Sequence, residues 1–274
     1  MTINCAGNLI DLSKPKIMGI LNITPDSFFS GSRTENKDAV LRKAEKMLKE
    51  EADFLDIGGY SSRPGAGDIS VEAEIKRVIP VVELLLKNFP EALLSIDTFR
   101  SKVAEGSIAA GAHIINDISG GNLDKNMMPV IAKYQVPYIM MHMKGTPKTM
   151  KELNQYQNML QEIIYYFSEK IKQARLAGIN DLIIDPGFGF AKNIAQNFEL
   201  LSQLELFQML ELPILAGISR KSIIYKTFKT SAENALNGTT VLNTLCLQKG
   251  ANILRVHDVK EAVECVKLVA QIKK

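Results

Sequence analysis

Asp97, Asn116 and Asp185 stand at or near the ends of short aliphatic runs, in LLSIDT, IINDIS and LIIDPG. Two carboxylates and an amide can read the N–H edge of a heterocycle through paired hydrogen bonds. Lys221, Arg63, Arg255 and His257 supply cations and donors of the kind that hold an oxyanion such as phosphate. Together they predict a site in two parts, one for a guanidine-like ring and one for phosphate. No cluster of His, Cys and carboxylates at zinc spacing accompanies them. A hard ion such as Mg2+ could still ride on the phosphates with a single oxygen ligand, keeping most of its waters. Each residue also has a plainer use. Asp97 could cap a helix, Asn116 could serve a turn, Asp185 could form the turn at Pro186-Gly187, and Lys221 could be solvated at a helix start. His142, inside YIMMHM, reads as a core histidine. Arg255, inside ILRVHD, is harder to place, because a strand-borne charge without a partner is costly. Polar residues recur at the same end of every run, and that recurrence points to a site.

The elements that would position these residues follow from the runs themselves. KIMGIL (16–21), FLDIGG (54–59), LLSIDT (93–98), IINDIS (114–119), YIMMHM (138–143), LIIDPG (182–187), ILAGIS (214–219) and ILRVHD (253–258) are continuously apolar rather than alternating. That pattern suits strands buried on both faces, as parallel sheets require. Between them, helical spacing with charged faces predicts helices over Asp38–Glu50, Val71–Asn88, Met150–Ala177, Ala195–Leu210, Ser231–Lys249 and Val259–Ile272. Gly111, Gly178 and Gly250 follow apolar-periodic segments, where helices often stop.

Eight strands alternating with helices predict a single-domain (β/α)8 TIM barrel over 16–274, whose strand ends face a catalytic mouth. Residues 1–15 are left over, and TINC and NLIDL around Ala6-Gly7 predict a hairpin across the barrel bottom. A doubly wound sheet is the structural alternative; the first strand lacks the GxGxxG of its dinucleotide-binding form.

Composition narrows the function. The 274 residues carry 33 basic and 30 acidic side chains, a net charge of +3, with no run of like charge. A nucleic-acid footprint would be basic and clustered. Cys5, Cys246 and Cys265 are odd in number and far apart, which suits a reducing compartment. The N-terminal residues lack the basic-then-apolar pattern of a signal peptide, and no apolar run approaches the roughly 18 residues that span a bilayer. These features predict a cytoplasmic protein without nucleic-acid or membrane partners.

NITPDSFFSG, GGYSSRPGA, SIDTFR, INDISGG, MMHMKGTPKTM, DPGFGFAKN, GISRKS and ILRVHDV occur in that order over nearly the whole chain. Together they resemble the dihydropteroate synthase family of folate biosynthesis, the target of sulfonamides. The resemblance implies a (β/α)8 barrel that condenses (7,8-dihydropterin-6-yl)methyl diphosphate with 4-aminobenzoate to 7,8-dihydropteroate and pyrophosphate. By the same resemblance Asp97, Asn116, Asp185 and Lys221 surround the pterin, with Arg255 stacked over it. Ser62, Arg255 and His257 contact the diphosphate, and Asn22 is the Mg2+ ligand. Arg63, Pro64, Phe190 and Ser222 surround the aminobenzoate. Lys221, Arg255, His257 and Arg63 carry the catalytic stabilisation, and a homodimer through outer helices is expected.

The chain departs from the family pattern in two loops. Ser30 stands where an acid is usual, and Tyr60 and Ser62 replace a glutamate and a threonine. Two rival readings follow. A pterin-binding methyltransferase domain would keep Asp97, Asn116 and Asp185 without needing SSRPG or SRKS, and a non-catalytic pterin-binding paralogue would account for Ser30.

Overall fold

The computed structural model describes residues 1–23, 33–61 and 67–272, with backbone alone over 33–36. Its first two strands, β1 (Thr2–Cys5) and β2 (Asn8–Asp11), form an antiparallel hairpin. Eight parallel strands follow: β3 (Lys16–Asn22), β4 (Phe54–Gly58), β5 (Leu93–Asp97), β6 (Ile114–Asp117), β7 (Tyr138–Met141), β8 (Leu182–Asp185), β9 (Leu215–Ala216) and β10 (Ile253–Val256). They pair in the order β8-β7-β6-β5-β4-β3-β10-β9. A bridge between Ile184 and Ile214 joins β8 to the chain just before β9 and closes the ring. The fold is a (β/α)8 barrel.

Alternation along each strand decides what fills the ring, since successive side chains point to opposite faces. Met18, Phe54, Ile114, Ile139, Ile183, Leu215 and Ile253 cluster with Ile3, Cys5 and Leu12, so the hairpin stoppers the N-terminal end of the barrel. The residues between them, among them Ile17, Leu55, Ile115, Leu182, Ile184 and Leu254, face outward into the core shared with the helices. Two residues further along four of these seven inward rows come Asp56, Asn116, Asp185 and Arg255. The barrel is therefore apolar at its base and charged toward its mouth.

Helices cover the outside over Arg33–Lys49, Val71–Asn88, Ser101–Ala109, Met127–Tyr134, Met159–Leu176, Ile194–Ser202, Ser222–Tyr225, Leu236–Gln248 and Val259–Ile272, and a 3-10 turn spans Leu204–Leu210. Their starts are set by side chains that satisfy orphan N–H groups. Ser70 accepts from Ala73 N, Asn158 from Gln161 N, and Asn193 and Gln196 form a reciprocal capping box. Among the described residues no helix is long and apolar enough to cross a membrane.

Candidate active site

The turn after β8 shows how a buried strand delivers a carboxylate. Asp185 is 5% exposed, and its Oδ1 accepts from Gly187 N at 2.8 Å. That bond is the turn-forming role open to any Asp before Pro-Gly, and it leaves Oδ2 to the mouth. Gly187 (φ +75°) and Gly189 (φ +82°) take left-handed backbone, and a side chain on Gly187 would fall 2.2 Å from the His142 carbonyl oxygen. The turn is held further by Lys192, whose Nζ lies 3.0 Å from Gly187 O, 3.1 Å from Phe190 O and 3.2 Å from His142 Nδ1. Burial lowers the Lys192 amine to about 7, with Asp185 opposing. His142 is buried and held well below its ordinary range, first by burial and then by the charges of Lys192 and Lys144. It is a core histidine, as read from its apolar surroundings.

Lys221 reaches the same place from the other side. Its Nζ donates to Phe188 O and lies 4.8 Å from the centre of the Phe190 ring. Gly217 marks the convergence: a carbon added there would stand 3.8 Å from Lys221 Nζ, 3.9 Å from Arg255 Cβ and 4.0 Å from Asp185 Oδ2. Burial lowers the Lys221 amine to about 8, Asp185 opposing, and it raises the Asp185 carboxyl, Lys221 opposing.

Arg255 is fixed by two carboxylates. Its Nε donates to Asp56 Oδ2 and its Nη2 to Asp97 Oδ2, each at 2.6 Å. Burial works against this cation, yet Asp56 and Asp97 together hold it above its ordinary value. Burial pushes the Asp97 carboxyl up to about 7; Arg255 pulls it down and Asp56 adds to the rise. Asp97 does not cap the helix Ser101–Ala109, whose first N–H is taken by Asp124 at 2.7 Å.

Asp56 is fully buried, and sequence reading did not single it out. It accepts from Ser95 Oγ at 2.6 Å and Asn116 Nδ2 at 3.1 Å as well as from Arg255. A carboxylate accepts only, so the Asn116 amide must turn its nitrogen toward Asp56. The available signal was an acid inside a run otherwise buried on both faces. Ser219 was likewise missed as a partner of a site residue: its Oγ lies 3.0 Å from His257 Nδ1 and accepts from His257 N.

Of the residues expected at the site, Asp97, Asn116, Asp185, Lys221, Arg255 and His257 share the C-terminal mouth of the barrel, with Phe190 beside Lys221. Ser222 follows Lys221 as the first residue of the helix Ser222–Tyr225. Asn22 ends β3, and its Oδ1 lies over Gly58 beside Asp97: a carbon added at Gly58 would be 3.4 Å from Asn22 Oδ1 and 3.7 Å from Asp97 Oδ2. Ser30, Ser62, Arg63 and Pro64 lie outside the described residues. Tyr60 packs edge-on against Phe99 with Arg100 over its ring, and Arg100 pairs with the buried Glu74 at 2.8 Å.

This mouth can accept hydrogen bonds from a flat heterocycle and hold an anion. All three cysteines are buried, and burial pushes the thiols of Cys5 and Cys246 up to about 12, so neither is a ready thiolate nucleophile. Among the described residues no group of three or more His, Cys, Asp or Glu could hold a metal ion. Asn22 and Asp97 offer hard oxygen at the mouth, which fits Mg2+ carried mainly by substrate phosphate and water.

Comparison with known proteins agrees with this geometry. Residues 18–257 match the family model described as pterin binding enzyme. Dihydropteroate synthase from Escherichia coli strain K12 is 41% identical over 271 residues, 98% of this chain and 95% of that protein. The crystal structure of Yersinia pestis dihydropteroate synthase with a sulfonamide drug complex superposes with a TM-score of 0.92 at 40% identity, covering 100% of this chain and 99% of that one. The Xanthomonas albilineans dihydropteroate synthase with 4-aminobenzoic acid superposes at 0.91 and 38% identity, covering 99% and 98%.

Proposed function

The chain belongs to the pterin binding enzymes and, among them, to the dihydropteroate synthases, and from that premise we propose how its own residues carry the reaction. It joins (7,8-dihydropterin-6-yl)methyl diphosphate to 4-aminobenzoate, giving 7,8-dihydropteroate and pyrophosphate in folate biosynthesis. The methyltransferase and non-catalytic readings are not favoured, because the similarity to the synthases runs through the whole chain. The observation that carries the proposal is the meeting of Lys221 Nζ, Arg255 and Asp185 Oδ2 around Gly217.

Asp185 accepts from the N3–H and 2-amino group of the pterin. Asp97 and Asn116 meet the rest of the ring's polar edge, and Lys221 donates to its acceptors. Arg255 lies over the ring, and its position is held by Asp56 and Asp97. Its remaining donors, with His257 and Ser62, face the diphosphate. Arg63, Pro64, Phe190 and Ser222 surround the aminobenzoate.

The methylene C–O bond breaks with both electrons leaving on pyrophosphate, and the resulting pterin cation is resonance-stabilised. The aminobenzoate nitrogen forms the new C–N bond and loses a proton. Positioned charge and oriented substrates suffice for this chemistry, so no protein nucleophile is required. Asn22 would hold Mg2+, which supplies charge neutralisation on the diphosphate when bound.

The chain acts in the cytoplasm, in keeping with three free, buried cysteines. It pairs as a homodimer through the helices Leu236–Gln248 and Val259–Ile272, which leave Val241 (51%), Leu245 (37%), Leu268 (69%) and Ile272 (71%) exposed.

The test is dihydropteroate formation from the two substrates with Mg2+, in the parent, Lys221→Ala and Ser30→Asp. Turnover in the parent, lost in Lys221→Ala, supports the reading. Parent protein that binds the pterin diphosphate but forms no product would overturn it, and recovery in Ser30→Asp would then trace the defect to the first loop.

A further inference from the structure

Arg220 has the backbone of a glycine without being one. Its φ is +54°, in the left-handed region that L residues with side chains seldom adopt. Such a conformation persists only where surrounding contacts over-determine it, and here they do. Arg220 Nε and Nη2 donate to Asp258 Oδ2 and Oδ1, each at 2.8 Å, in a bidentate fork. Its Nη1 donates to the carbonyls of Ala232 at 2.9 Å and Glu233 at 2.6 Å, and its backbone N–H to Thr239 Oγ1 at 3.0 Å.

The neighbours of both partners face the mouth. Ser219 binds His257, and Lys221 donates to Phe188 O. The stretch 219–221 is thus tied to 257–258 twice, by Ser219 with His257 on the site side and by Arg220 with Asp258 behind it. We propose that Arg220 is a positioning residue for the synthase reaction: its fork on Asp258 locks the left-handed turn and thereby fixes Lys221 relative to His257 for the pterin diphosphate. This rests on the reading that Lys221 and His257 meet that substrate.

Two variants separate the clamp from the fold. Arg220→Gly accepts the same φ while removing the fork together with the Nη1 bonds to the Ala232 and Glu233 carbonyls, and Asp258→Asn keeps the shape and those carbonyl bonds while removing the charge opposite the fork. Lys221→Ala serves as the control for the underlying reading. Dissociation constants for the pterin diphosphate with Mg2+ are measured by calorimetry from pH 6.5 to 9.5, with folding checked by circular dichroism. Lys221 is faced by Asp185, Arg255 and Asp97, and burial holds its amine near 8. A Lys221 released toward solvent titrates higher, nearer the ordinary 10.5.

The expected result is affinity weakened tenfold or more in both clamp variants, with the alkaline fall in binding displaced upward in pH. Affinity within about twofold of the parent in both folded variants overturns the proposal. So does weakened binding with the alkaline fall unmoved, since that is loss of stability alone. If Lys221→Ala keeps parent affinity, the pterin reading fails and takes the inference with it. Weak binding in Lys221→Ala beside parent-like clamp variants sinks the inference alone.

Discussion

Arg255 donates to Asp56 on one side and Asp97 on the other, and the two acids are in different situations. Asp56 is fully buried and also holds Ser95 and Asn116, whereas the Asp97 side chain is 15% exposed and faces the mouth. Asp56 is thus the enclosed partner of Arg255, and Asp97 is the one that can turn to a ligand. Asp56→Asn keeps the volume but lets the Asn116 amide flip and leaves Arg255 short of charge. The expected cost is about 1.5–3 kcal/mol, or roughly ten- to hundredfold in kcat/KM for the pterin diphosphate. The KM for 4-aminobenzoate should stay within about threefold, and steady-state kinetics with each substrate varied in turn would check this. A second expectation concerns pH. The accepting carboxylate of Asp97 appears as pH rises through about 7, and the donating ammonium of Lys221 disappears as pH rises through about 8. Pterin binding should therefore be tightest between those values and weaken on both sides. In Lys221→Arg the alkaline limb should leave the measured range while the acid limb stays; an unmoved alkaline limb would assign it to another group.

At the scale of elements, DPGFGF behaves as one part, because its carbonyls and N–H groups are taken by Asp185, Lys192, Lys221 and Asn197. Gly187→Ala forces a side chain into left-handed backbone and against the His142 carbonyl. We expect a loss of at least about 2 kcal/mol, seen as a fall in Tm of roughly 4–8 °C. The eight barrel strands were legible because each is buried on both faces and reads as an unbroken aliphatic run. For the same reason the inward and outward rows were not. An apolar row on either side leaves no alternation to see, and Asp56, in mid-strand, lacks the strand-end position that marks Asp97 and Asp185. Helices with high contrast, Val71–Asn88 and Val259–Ile272, were placed to the residue. Ser101–Ala109, with Gly106 inside it, and Met127–Tyr134, with Pro129 in its first turn, were passed over because they are short and carry a weak helix former. The helix expected over Met150–Ala177 starts only at Met159. Asn158 caps it there, and Lys144 bonds Gln155 O and Glu162 across the preceding stretch, contacts between residues too distant for local periodicity to register. The gathering of Asp97, Asn116, Asp185, Lys221 and Arg255 at one end of the barrel was legible, because polar residues recur at the same end of the aliphatic runs. Its internal pairing was not, because which carboxylate meets which cation is decided by barrel register.

Among the described residues, two adjacent helices of the outer shell leave aliphatic side chains uncovered. The mouth is committed to substrates and the base is stoppered by the hairpin, so apolar surface on the sides has no intramolecular use. Helices Leu236–Gln248 and Val259–Ile272 border a groove of about 680 Å³ lined by Leu236, Thr240, Thr244, Cys265, Leu268 and Ile272. Leu268 and Ile272 are about seven-tenths exposed on the same helix, one turn apart, and Val241 and Leu245 repeat that spacing on its neighbour. Clustered exposed aliphatics on adjacent helices mark a protein interface more readily than scattered ones do. A second copy of this chain can cover both helices by a two-fold axis, since an isologous contact needs only one self-complementary patch. Sedimentation velocity should find the parent as a dimer at micromolar concentration. Leu268→Glu places a charge in the patch without touching the barrel core, and it should shift the population to monomer while kcat stays within about twofold, because Asp97, Asn116, Asp185, Lys221, Arg255 and His257 lie together at the mouth of one barrel. A dimer undisturbed by Leu268→Glu would move the interface to another face, and a monomeric parent would remove the dimer from the reading altogether.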